Sequence, residues 1–167
     1  MIDSGIRTTD IEPLFPNAGR ALDIDGGTGR HAIFLAEKGW QVTLTDIAEA
    51  GIVNARDNAG DLASRIEFRV EDLTRFHEDV ASYDLILVFF FLRREMFREL
   101  VRALKPGGLL IYKGYTRGQA KFGGGPTNPE YLFAENELLH AFPELQVLHY
   151  AELIQDCGLA EFVGRKA

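Results

Sequence analysis

The chain has 167 residues, of which 46% are hydrophobic and 26% charged, with a formal net charge of −7. That describes one soluble globular domain long enough to bury a real core, and the acidic balance argues against a nucleic-acid partner, because phosphate binding wants a basic face. The single Cys157 rules out an intramolecular disulfide, no apolar run approaches a membrane span, and MIDSGIRTTD lacks the basic-then-apolar pattern of a signal peptide; a cytoplasmic protein is expected.

Residues 1–19 form a short polar lead-in in which Ile11, Leu14 and Phe15 could make one helical turn. Ala21–Ile24 is an apolar strand, and Gly26-Gly27-Thr28-Gly29 then forces a tight turn. Ala32, Ile33, Leu35 and Ala36 recur at helical spacing, and Gly39 stands where a helix takes a left-handed cap. Val42–Thr45 reads as a second strand that Asp46 ends. Ile47–Ala59 reads as a helix closed by Gly60, and Ile66–Val70 as a third strand followed by Glu71-Asp72-Leu73. Asp84–Phe89 is a nearly unbroken apolar run, as expected of a parallel strand covered on both faces. Phe97, Leu100, Val101 and Leu104 mark a helix that Lys105-Pro106-Gly107-Gly108 stops, and Leu109–Tyr112 is the next strand. A Gly-rich loop, Gly114–Pro129, precedes a helix at Glu135–Phe142 and strands at Leu145–Tyr150 and Ala160–Val163. The last two lie close enough in sequence to pair antiparallel. The whole is α/β: a doubly wound, mostly parallel sheet ending in an antiparallel hairpin, with residues 20–167 as its single domain.

Gly27-Thr28-Gly29-Arg30-His31-Ala32 satisfies G-x-G-x-x-A, the dinucleotide fingerprint, with Asp46 at about the right distance. On that match alone the chain could be an NAD-dependent oxidoreductase. Two further carboxylates point elsewhere. Asp23 lies in the strand before the glycines, where it would repel a pyrophosphate, and Asp72 follows the third strand. A carboxylate at Asp46 can accept both hydroxyls of an unphosphorylated ribose. Glycines accompanied by acids suit a nucleoside that carries positive charge, and S-adenosylmethionine is one.

In LDIDGGTGRHAIFLAEKGWQVTLTD, VEDLTRF, YDLILVFFFL, LKPGGLLIYKGYT and FGGGPTNPEYL the chain resembles class I S-adenosylmethionine-dependent methyltransferases, and in particular the small tellurite-resistance and thiopurine-methyltransferase-like group. The resemblance spans residues 20–167. It implies a seven-stranded Rossmann-like sheet in the order 3-2-1-4-5-7-6 and S-adenosylmethionine as cofactor. It also implies methyl transfer to a small-molecule acceptor such as a thiol or a chalcogen oxyanion. By the same resemblance Asp23, Gly27 and Gly29, with Asp25 and Gly26 between them, line the methionine portion of the cofactor. Asp46 holds the ribose, Ile47 packs on the adenine, Asp72 and Leu73 meet its amino edge, and Phe89 with the residues after it lies beneath the transferable methyl.

The chain departs from that pattern in three places. Asp25 stands at the first glycine of the turn, where its side chain would either crowd the cofactor's amino-acid tail or bind its ammonium. Lys113, ending the fifth strand, needs an acid partner such as Asp25 or Glu95 if it is to sit near a sulfonium. The lead-in is shorter than the family's helical lid, so either a partner subunit, as in a homodimer, or a substrate loop would cover the cofactor. These departures leave a non-catalytic, cofactor-binding relative as the main alternative to an enzyme.

Phe91, Tyr115 and Phe122 are the candidates for the acceptor pocket. His31 and His77 are expected to be solvated, as are Arg93 and Arg94, which open a helix where cations oppose the dipole. His140 and His149 have no partner at metal-ligand spacing, so no metal is expected. Cys157, in a turn, is expected to be a bystander.

Overall fold

The structure, a computed structural model, describes residues 5–167. Seven strands form one sheet: β1 (Arg20–Ile24), β2 (Gln41–Asp46), β3 (Ile66–Val70), β4 (Tyr83–Phe89), β5 (Leu104–Tyr115), β6 (Leu145–Leu153) and β7 (Leu159–Lys166), in the order β3-β2-β1-β4-β5-β7-β6. Strands β1 to β5 run parallel, and β7 is antiparallel to both β5 and β6. Because the chain winds outward from β1 to β3 and then returns to β4, the strand order reverses between β1 and β4. A crevice opens there at the carboxyl ends of the strands.

Alternation along the strands builds two cores. On β4, Leu85 and Leu87 pack with Ala21, Leu44, Leu35 and Trp40, whereas Ile86 and Val88 pack on the other face with Ile24, Tyr112, Phe142 and Phe162. A strand buried on both faces has no polar side to show, which is why its sequence reads as an apolar run.

Helix α1 (Thr8–Ile11) runs into a 3-10 turn at Glu12–Leu14, close to the single turn expected of the lead-in. Helix α2 (Arg30–Glu37) begins on Gly29 and ends before Gly39, whose φ of +92° makes the left-handed exit. Helix α3 (Glu49–Ala59) begins later than the expected Ile47, because Ala48 offers no side-chain cap and Asp46 Oδ1 instead accepts from Ala48 N at 2.8 Å.

Two further elements differ from expectation. Helix α4 (Phe97–Ala103) ends before Leu104, and Lys105–Gly108 are absorbed into β5 as an irregularity: Tyr83 pairs with Leu104 but Leu85 with Leu109. Helix α5 covers only Glu137–His140, not Glu135–Phe142. Asn136 holds φ +58° in front of it, and Phe142 precedes Pro143, a position that disfavours helix. The Gly-rich stretch after β5 is tied down. Gln119, nearly fully buried, accepts from Gly158 N at 2.8 Å and donates to the Gly123 carbonyl at 3.0 Å. No helix among the described residues is long and apolar enough to cross a membrane.

Candidate active site

The turn after β1 is fastened to the end of β2. Gly26 N donates to the Thr45 carbonyl at 3.1 Å, and Gly27 N donates to Asp46 Oδ2 at 2.9 Å. With Ala48 N on its other oxygen, Asp46 grips both the turn and the entry to α3. A side chain at Gly26 would place its Cβ 2.9 Å from both Asp23 Oδ2 and Leu44 Cγ, closer than packing allows. Gly27 differs: its φ is +56° and nothing lies within 4 Å of where a Cβ would stand. Its backbone is open for a ligand to approach.

Three carboxylates, Asp23, Asp25 and Asp46, converge on this turn. Asp23 is only 1% exposed, and its Oδ2 has no hydrogen-bond partner. Burial, with the charges of Asp25 and Asp46 behind it, pushes the Asp23 carboxyl up to about 7. Burial and then Asp46 push Asp25 up to about 6. Asp25 also holds φ +57°, a left-handed conformation that aspartate adopts more readily than most residues but still at a cost. Among the described residues no ion pair neutralises any of the three. Acids pressed together without a counter-ion are a site short of positive charge, which suits a cationic ligand. The same feature opposes a pyrophosphate.

The remaining residues named from sequence divide around this cradle. Ile47 follows Asp46 and is 65% exposed, an apolar surface standing free beside the carboxylate. Asp72 Oδ1 accepts from Thr74 N at 2.9 Å, a bond that holds its carboxyl below the usual range. Leu73 is buried in the core.

Beyond Phe89, a cavity of about 620 Å³ opens over the ends of β4 and β5 and the start of α2. Of the three pocket candidates, only Tyr115 lines it. Phe91 packs against the core instead, and Phe122 is absent from the cavity wall. Phe90 takes the place expected of Phe91. It holds φ +61°, ending the strand alternation after Phe89, and lies tilted against Tyr115 with ring centroids 5.0 Å apart.

His31 is not a solvated surface residue. Its ring stacks on Phe89 at 4.2 Å, and its Nδ1 lies 2.8 Å from Thr8 Oγ1 on α1. Burial first, then the charges of Arg30 and Lys113, hold it down to about 4, so it is neutral at physiological pH. His77, by contrast, is exposed. Lys113 pairs with neither Asp25 nor Glu95. It is buried and reaches Glu161 at 3.4 Å, the residue directly opposite on β7. Arg94 is not a free surface cation either, since it bonds Glu137 and the carbonyls of Glu130 and Leu132. Cys157 is buried and lines the cavity. No group of three or more potential metal ligands occurs among the described residues. Sequence reasoning missed Thr8, His31 and Phe90. The signal for His31 was its place two residues beyond Gly29, on the turn of α2 facing the crevice.

A family model described as a methyltransferase domain matches residues 21–108, just over half of the chain. A demethylmenaquinone methyltransferase of Clavibacter sepedonicus is 37% identical over 112 residues, which cover 63% of this chain and 45% of that protein. Among solved structures, an S-adenosylmethionine-dependent methyltransferase from Mesorhizobium loti superposes with a TM-score of 0.77 at 18% identity, covering 95% of this chain and 96% of that one. TehB from Haemophilus influenzae superposes with a TM-score of 0.72 at 22% identity, covering 89% and 57%. At those identities the likeness is one of fold. The chain spans less than half the length of the curated relatives it matches.

Proposed function

The chain belongs to the methyltransferase-domain family, and from that premise we propose that it moves a methyl group from S-adenosylmethionine to a small-molecule acceptor. The observation that carries this reading is the glycine turn ringed by Asp23, Asp25 and Asp46, with a buried Asp23 oxygen that has no partner. S-adenosylmethionine, when bound, supplies a methyl on a sulfonium, and the carbon–sulfur electron pair stays on sulfur as the methyl leaves.

The residues of the chain divide the work. Asp23 and Asp25 meet the positive charge of the ligand's amino-acid end, Gly26, Gly27 and Gly29 let its backbone approach, and Asp46 takes the ribose hydroxyls. Asp46 already accepts two backbone N–H groups, so its oxygens are oriented before any ligand arrives. Ile47 covers one adenine face, Asp72 and Leu73 border its amino edge, and Phe89 closes the floor under the reacting carbon. The acceptor enters the cavity beyond Phe89, whose 620 Å³ is of small-molecule size. Its nucleophile is a thiol, a chalcogen oxyanion or a similar heteroatom, which forms the new bond to carbon and gives up its proton, where it has one, to solvent. Alignment of the two reactants supplies most of the catalysis, worth about 7–11 kcal/mol in well-oriented systems. Within the family we place the chain nearest the small tellurite-resistance and thiopurine-methyltransferase-like group. The acidic cradle disfavours the NAD reading, because it offers no cation to a pyrophosphate.

The test is turnover. With methyl-labelled S-adenosylmethionine and a panel of thiols and chalcogen oxyanions, the purified protein is expected to form labelled product with S-adenosylhomocysteine in equal amount. Cofactor binding without product on any acceptor class would favour a non-catalytic relative.

A further inference from the structure

The imidazole of His31 is fixed by two contacts. His31 is the second residue of α2, and its ring stacks on Phe89 with centroids 4.2 Å apart and 21° between the planes. Its Nδ1 lies 2.8 Å from Oγ1 of Thr8 on α1, and Thr8 is itself only 5% exposed. The stack sets the plane of the ring, and the hydrogen bond sets its rotation within that plane. Thr8, His31 and Phe89 all line the cavity beyond the glycine turn.

A ring engaged at Nδ1 has Nε2 left to offer. Which nitrogen carries the proton is set by the bond the other one makes. With Nδ1–H donating to Thr8 Oγ1, Nε2 keeps its lone pair. Arg30, the neighbouring residue on the same cavity wall, favours that tautomer, because positive charge nearby opposes a further N–H on the cavity side. Burial first, then the charges of Arg30 and Lys113, hold the ring down to about 4, so the lone pair is present throughout the physiological range.

We propose that His31 is a catalytic residue of methyl transfer, its Nε2 taking the proton of an acceptor thiol as the methyl arrives, with Thr8 as the positioning residue that fixes the tautomer. The reaction rests on the methyl-transfer reading; the base and its tautomer rest on the geometry of His31. The step balances. The thiol sulfur forms the bond to the methyl carbon, and the carbon–sulfur pair of the sulfonium stays on the leaving sulfur as S-adenosylhomocysteine forms. The thiol proton passes to Nε2, and the imidazolium then returns it to water. One positive charge moves from the sulfonium to the ring, so the step adds no charge to the site. A strong base is not needed, because a thiol becomes a far stronger acid as its sulfur gains the methyl group and positive charge with it.

Two measurements test this. In the ligand-free protein at pH 7, long-range proton–nitrogen correlation spectra of the imidazoles are expected to show His31 with Nδ1 protonated and Nε2 bare. Its signals are identified by their loss in His31→Asn or His31→Gln. Thr8→Val is expected to shift the ring toward the other tautomer, and Thr8→Ser to restore it. A ring protonated at Nε2 in the unaltered protein would overturn the assignment.

The second measurement follows turnover with methyl-labelled S-adenosylmethionine at pH 7. The probe acceptors are 2-mercaptoethanol, a thiol largely protonated at that pH, and 4-nitrothiophenol, which is already ionised. His31→Asn offers Thr8 an amide in place of Nδ1 but no base at Nε2. It is expected to lower kcat for 2-mercaptoethanol at least about 100-fold, and that for 4-nitrothiophenol less than about threefold. Should the variant fail to fold, Thr8→Val takes its place, with a smaller loss for the protonated thiol alone that Thr8→Ser regains. Equal losses with the two thiols, or no loss with 2-mercaptoethanol, would overturn the base. The two readings fail separately. A ring protonated at Nε2 sinks this proposal whatever the protein methylates, whereas the expected tautomer in a protein that methylates neither thiol sinks the methyl-transfer reading on which it rests.

Discussion

The two halves of the crevice are lined by different side chains. At the ends of β1 and β2, acids crowd a turn whose backbone is bare: burial first, and then the neighbouring acids, push Asp23 and Asp25 up to about 7 and about 6. At the ends of β4 and β5, the described residues that line the cavity include cations, aromatic rings and small polar groups. A net charge of −7 describes neither half. What the contrast teaches is that the sign of charge is set strand end by strand end.

The sharpest way to break the contrast is on the acidic side. Asp46→Ala removes the acceptor of Gly27 N and Ala48 N together with the group assigned to the ribose. Affinity for S-adenosylhomocysteine, read by calorimetry, is expected to fall by at least about tenfold. Unchanged affinity in a folded variant would misplace the nucleoside.

Acidity gives the next largest effect. A carboxyl raised from 3.8 in the unfolded chain to about 7 in the folded one favours the folded state while it is protonated. The ligand-free protein is therefore expected to lose thermal stability as pH rises from about 4 toward 7. Cation binding needs the ionised forms, so S-adenosylmethionine affinity should move the other way, gaining roughly tenfold between pH 5 and 7 as Asp25 and then Asp23 deprotonate. Affinity flat across that window would show that these two acids do not meet the ligand's charge.

The smallest effect separates strain from binding. Asp25→Gly relieves a left-handed aspartate and removes one of three repelling charges. The melting temperature is expected to rise by an amount worth about 1 kcal/mol, while S-adenosylmethionine binds more weakly. Tighter binding would instead mean that the side chain crowds the ligand.

The acidic half was legible in the sequence because backbone builds it. Glycines at fixed offsets after a strand, and an acid at the end of the next, follow from local geometry. The structure brings Gly26, Gly27, Asp23 and Asp46 together at that one turn. The parallel core was legible for the same reason, since an apolar run such as Asp84–Phe89 has few other homes. The basic half was not. Lys113 finds Glu161 only because β7 returns antiparallel beside β5, a pairing across 48 residues that no local pattern announces. Phe91 was a candidate for the acceptor pocket, but one left-handed residue at Phe90 ended the strand alternation, and Phe91 packs against the core. His31 looked solvated because the α1 residue that bonds it, Thr8, lies 23 residues away.

The most direct measurement is calorimetric titration of the protein at pH 7.5 with S-adenosylmethionine and S-adenosylhomocysteine, with NADH as the control. A cradle of bare glycines and counter-ion-starved acids predicts one site of micromolar Kd for the adenosyl ligands and none for the dinucleotide. No binding of either adenosyl ligand, or binding of NADH in their place, would contradict it.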